Sequence, residues 1–121
     1  MSRDLSYRVW DDEKKEYSDK PFSLDQYGLL YVQDEDGYWE EAGDRYIIEF
    51  STGLKDKNVK EIYEGDIVRQ FYDEEYYVVE FKYGGFLPFA ANILTFDVDY
   101  CEVIGNIHEN AELLEDKNHG E

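Results

Sequence analysis

Turn-forming residues interrupt the run Phe50–Val68 three times, at Gly53, Asn58 and Gly65. These residue types favour tight reversals, so the run cannot be one regular element and is expected to fold as short pieces joined by turns. Leu54, Ile62 and Ile67 are the apolar plugs expected to face a core. Asp66 stands where its short side chain can accept backbone N–H bonds at a strand start.

The rest of the chain carries the same signals. Twelve tyrosines, seven phenylalanines and two tryptophans favour strands, because aromatic side chains suit a pleated, half-buried surface. Strands are expected over Ser6–Trp10, Leu29–Gln33, Tyr38–Glu40, Tyr46–Phe50, Ile67–Tyr72, Tyr76–Tyr83 and Glu102–Ile107. The step Asp34-Glu35-Asp36-Gly37 marks a hairpin between the second and third of these. Thr52-Gly53 is expected to stop the strand that begins at Tyr46, and the charged segment Asp11–Lys20 to be a surface loop. Phe86–Phe96 is apolar but broken by Pro88 and Asn92, and its state is left open. Asn110 is the expected N-cap of a short helix that runs to Glu115. The predicted fold is mainly β: a single compact domain of antiparallel strands with a barrel-like C-terminal half and a short C-terminal helix. Residues 1–50 would carry the N-terminal strands and the acidic hairpin, 51–115 the interrupted run and the barrel-like half, and 116–121 a frayed tail.

Three segments taken together resemble the YopX family. The run Phe50–Val68 is similar to that family's signature, and shorter matches flank it at Tyr7–Asp11 and Glu102–Leu114. The resemblance covers the whole chain and implies a small protein encoded by phages and prophages of Gram-positive bacteria, with no biochemical role assigned to the family. Two positions depart from the family pattern. Val59 stands where relatives carry glycine. A β-branched residue resists positive φ, so either the turn takes another geometry or Asn58 alone adopts the left-handed conformation. Ala111 stands where the family tends to place proline, which keeps the helix but loses some preorganisation at its first position. The Glu64-Gly65-Asp66-Ile67-Val68 opening also resembles the start of small SH3-like barrels.

Charge narrows the function classes. The chain of 121 residues holds 12 basic and 30 acidic residues, a net charge of −18. The excess lies mostly outside the N-terminal arm and the signature turn, where Lys55, Lys57 and Lys60 cluster. Such a surface repels phosphate, so direct binding of nucleic acid or an anionic membrane is disfavoured, while encounters with a basic partner are favoured. No apolar run reaches the roughly 20 residues that span a bilayer, and the N-terminus lacks the apolar core of a secretion signal. One cysteine, Cys101, cannot make an internal disulfide, and a cytoplasmic location in a bacterial host is expected.

Catalytic and metal-binding chemistry finds little support. Asp97 and Asp99, two apart on an expected strand, would share a face and could share a proton or hold a metal, but a solvated acidic edge is the better explanation in so acidic a chain. The Asp34–Gly37 step fails as an EF-hand loop, because Val32 would occupy the first ligand position. His108, His119 and Cys101 lack zinc-ligand spacing. Acidic neighbours disfavour a thiolate at Cys101, and no nucleophile elbow or phosphate loop is present. No cofactor is expected.

The expected function is therefore non-enzymatic: binding of a host or phage protein with a basic surface, such as one that handles nucleic acid. The carboxylates of Asp73, Glu74, Glu75, Asp97, Asp99 and Glu102 would stand in for phosphates. Lys55, Lys57 and Lys60 would form a basic knob able to meet an acidic patch on a second copy, giving a homo-oligomer. An oligomeric scaffold whose acidity serves solubility is the rival reading, and a metal-dependent hydrolase the weakest.

Overall fold

A computed structural model describes residues 6–70, 75–89 and 97–114. The fold is mainly β, with antiparallel sheets, one of them curled into a half barrel, and one short helix. The chain divides into two compact units, one of residues 7–49 and one of residue 6 together with the chain from Phe50 onward. No helix among the described residues is long and apolar enough to cross a membrane.

In the unit of residues 7–49, β1 (Tyr7–Asp11) pairs with β2 (Glu16–Tyr17) and lies beside the first part of β6 (Tyr46–Lys55). Between them, β3 (Phe22–Leu24), β4 (Leu30–Gln33) and β5 (Trp39–Glu41) form a separate three-stranded sheet in that order. Val9, Trp10 and Val32 are buried, and the Trp10 and Tyr17 rings meet edge to face at 4.9 Å. Two buried carboxylates are fully paired. Glu49 accepts Nε–H of Arg8 at 2.8 Å and the Tyr17 hydroxyl at 3.0 Å, and Asp11 accepts a two-pronged contact from Arg45 at 2.8 Å on each oxygen.

The expected loop Asp11–Lys20 thus contains a strand. Asp11 closes its turn by accepting the N–H groups of Glu13 and Lys14, and a two-residue strand is too short to show an alternating pattern. The Arg45 guanidinium holds the Asp11 carboxyl well below its usual range, outweighing the opposite effect of burial. A carboxyl lowered in the folded state adds stability that is fully present above its unfolded pKa of about 3.9 and lost as pH falls below it. Urea midpoints are therefore expected to fall between pH 5 and pH 3, and Asp11→Asn to flatten that fall.

In the other unit, the second part of β6 pairs with β7 (Glu61–Tyr63), and β8 (Asp66–Gln70) lies between β12 (Cys101–Asn106) and β9 (Tyr76–Val78). A hairpin of β10 (Glu80–Lys82) and β11 (Gly85–Leu87) follows β9. Ile62, Val68, Val79 and Cys101 form a buried cluster with Leu54, Tyr77 and Val103 packed against it, and Ile67 is buried as well. Asp66 accepts the Tyr63 N–H at 2.8 Å, the bond its position implied. The strand expected over Tyr76–Tyr83 breaks at Val79, whose N–H donates to Asp66 and whose carbonyl accepts from Gly65. Thr52-Gly53 does not stop β6. Gly53, at φ +81°, hosts a register shift, and the Thr52 hydroxyl donates to the Ile62 carbonyl so that pairing continues to Lys55.

Three loops are built alike. In 25–29, 34–38 and 56–60 an aspartate accepts two later N–H groups, and the fourth residue turns left-handed. That residue is Gly28 and Gly37 in the first two and Val59, at φ +65°, in the third. Asn58 therefore does not take the strained position; the valine does. Left-handed geometry costs a residue with a Cβ about 1–2 kcal/mol, and glycine returns part of that as unfolded-state entropy. Val59 is 71% exposed and loses little packing, so Val59→Gly is expected to stabilise the protein by about 1 kcal/mol in urea titration.

Candidate functional site

The signature turn is laid on β12. The Lys57 N–H donates to the Cys101 carbonyl, and Asp56, 6% exposed, accepts the Val103 N–H. For the Asp56 carboxyl, burial acts upward but the N–H groups of Val103, Lys60 and Asn58 win and hold it below its ordinary value. This docking brings Lys57 Nζ to 3.7 Å from Glu102, so two residues singled out by the sequence meet within one molecule. Lys55 and Lys60 are exposed on the same turn, and Glu75 is exposed at the start of β9. Asp73 and Glu74 lie outside the described residues.

Asp97 and Asp99 are not on a strand. Asp97 caps the short 3-10 turn Val98–Tyr100 and accepts the Asp99 N–H at 3.0 Å, while its own N–H donates to buried Gln70. The pair therefore serves a local turn rather than one shared face. Burial pushes the Cys101 thiol up to about 12, with Asp56, Asp97 and Asp99 adding to the shift. Among the described residues no group of three His, Cys, Asp or Glu is placed to hold a metal ion.

The β3–β4–β5 sheet has a different character. From Phe22 to Glu41 the chain carries six carboxylates and no lysine or arginine. Against that background Tyr27 is 81%, Tyr38 73% and Trp39 49% exposed, and Leu29 is exposed as well. β5 lies at the sheet's edge with all three of its residues exposed, including Glu40 and Glu41. Within the sheet, burial first and then the Asp25 charge raise the Tyr31 phenol, which donates to Asp25 at 3.4 Å. The sequence identifies the hairpin but not this surface, since alternation assumes that one face of a strand is buried.

A groove of about 1000 Å³ opens in the unit that begins at Phe50, between β6, β7 and the β10–β11 hairpin. Phe81 and Phe86 wall it, edge to face at 5.0 Å, and Lys55, Glu61 and Glu64 line it. Glu61 Oε2 accepts the hydroxyls of Ser51 and Ser6, and Oε1 accepts the Tyr63 hydroxyl at 3.3 Å. Those hydroxyls, Ser51 foremost, hold the Glu61 carboxyl below its usual value against the effect of burial. Glu64 accepts the Phe50 N–H at 2.7 Å. Nothing in the sequence points to this groove, because its walls come from segments far apart in the chain.

A chain of antiparallel sheets with a signature turn docked on its last strand matches the family model described as YopX protein over residues 6–115. The protein belongs to the YopX family. Among solved structures it is similar to protein EF1440 from Enterococcus faecalis, with a TM-score of 0.65 and 29% identity, covering 93% of this chain and 99% of that one. No curated protein matches the chain significantly.

Proposed function

We propose that this YopX-family chain is a non-enzymatic phage or prophage protein that binds a host or phage protein with a basic surface, in the cytoplasm of the bacterial host. A partner that handles nucleic acid fits best, since a surface built for phosphate accepts carboxylates in its place. The observation that carries the reading is the β3–β4–β5 sheet, where Tyr27, Tyr38 and Trp39 stand exposed in a segment of six carboxylates that holds no lysine or arginine. Tyr and Trp anchor protein interfaces, and a field of one sign speeds encounter with the opposite sign. β5 adds an edge that a partner strand can extend, and Glu40 and Glu41 favour a basic one.

The lysine cluster supports self-association less well. Lys57 already faces Glu102 of its own chain, which reduces the charge contrast between knob and acidic row.

The test is retention of host proteins by immobilised wild-type chain and by a Tyr38→Ala/Trp39→Ala variant, at low and high salt. A basic protein held by wild-type at low salt and lost from the variant is the expected result. Retention that ignores both salt and the substitutions, or a stable ring in light scattering with nothing retained, overturns the reading and favours the scaffold.

A further inference from the structure

We propose that the groove walled by Phe81 and Phe86 and lined by Glu61 and Glu64 receives an arginine side chain carried on an extended segment of a protein partner. The inference deepens the reading above and rests on it for the protein nature of the ligand, while adding a contact site in the other unit.

Arginine has a flat, weakly hydrated cation that stacks on aromatic faces and forks onto carboxylates. The protein uses that combination twice within itself. Arg8 lies 4.4 Å from the Tyr17 ring centre while donating to Glu49, and Arg45 lies 5.0 Å from the Tyr46 ring centre while donating to Asp11. The groove holds the same aromatic and acidic components. Phe81 is 56% exposed, so ring surface is open to a stacking group. Among the described residues Glu61 Oε1 accepts from Tyr63, at the long distance of 3.3 Å, and a carboxylate oxygen can take a further donor. Among the described residues that line the groove, two carboxylates stand against the ammonium of Lys55, a negative balance that opposes an anionic occupant. Its volume of about 1000 Å³ exceeds that of one side chain and leaves room for peptide on either side. A lysine would bring charge but no plane to stack and no fork to share between acceptors.

The experiment is fluorescence anisotropy of the full chain with a dye-labelled, end-capped Gly-Gly-Arg-Gly-Gly peptide, compared with its lysine and citrulline versions. Citrulline keeps the shape of arginine without the charge. The arginine peptide is expected to bind, and the citrulline version to bind at least about tenfold more weakly, with lysine between them. Phe81→Ala is expected to weaken arginine binding about fivefold while lowering the urea midpoint only slightly, because the ring is largely exposed and loses little beyond its contact with Phe86. Glu61→Gln is expected to weaken it about tenfold. Absence of arginine binding, equal binding of citrulline or lysine, or binding that Phe81→Ala leaves intact overturns the assignment. A peptide that binds while no basic protein is retained keeps the groove and removes the broader reading; a retained protein without peptide binding does the reverse.

Discussion

Asp56→Ala is expected to destabilise the protein by about 2–3 kcal/mol, read as a lowered urea midpoint at neutral pH. The carboxylate takes the Asn58 and Lys60 N–H groups on one oxygen, at 2.8 and 2.9 Å, and the Val103 N–H on the other at 2.9 Å. The first two donors sit in an exposed turn and can find water once the acid is gone. The third belongs to β12 beside the core, so its loss carries most of the effect. Asp56→Asn keeps one oxygen for the turn and points a donor at the Val103 N–H or loses the turn, so it is expected to recover less than half. Equal stability of the alanine variant and wild type would show that the turn docks by packing alone.

Gly105→Ala is expected to cost about 2 kcal/mol for a steric reason. A Cβ at this place would stand 2.6 Å from Asn110 Cγ and 2.8 Å from its Cβ, and neither atom is the free end of a flexible side chain. Asn110 does not act as the side-chain helix cap its position suggested. Its Oδ1 accepts the Asn106 N–H at 3.1 Å, which draws the side chain back over β12 and against Gly105. The Asn110 carbonyl does accept the Leu113 N–H as the helical turn begins. A Gly105→Ala/Asn110→Gly double variant measured by thermal unfolding is expected to cost less than the two single changes summed, since the clash disappears with the side chain.

The signature was the most legible part of the chain. Leu54, Ile62 and Ile67 face the core as their spacing between turn residues implied, and Asp66 makes the backbone bond expected of it. The Asp34–Gly37 hairpin was legible for the same reason, because an aspartate and a glycine at fixed offset nearly determine such a loop. β2 and β3 were not, being two and three residues long and too short for any period. Gly53 read as a stop and is a bulge, a distinction that depends on whether a partner strand continues past it. Val59 shows the limit from the other side: local preference argued against positive φ, and the two Asp56 bonds and the docking on β12 prevailed. The groove lay beyond sequence reasoning altogether, since Ser6, Glu61 and Phe86 converge only through long-range pairing.

The three aspartate-closed loops also bear on how quickly the molecule assembles. Each is complete within five neighbouring residues, so each hairpin can form on its own on the microsecond scale without waiting for distant segments. Joining Asp66–Gln70 to Cys101–Asn106 requires a far larger chain closure. That encounter is the step expected to set the overall folding rate, and substitutions in the small loops should speed unfolding more than they slow folding.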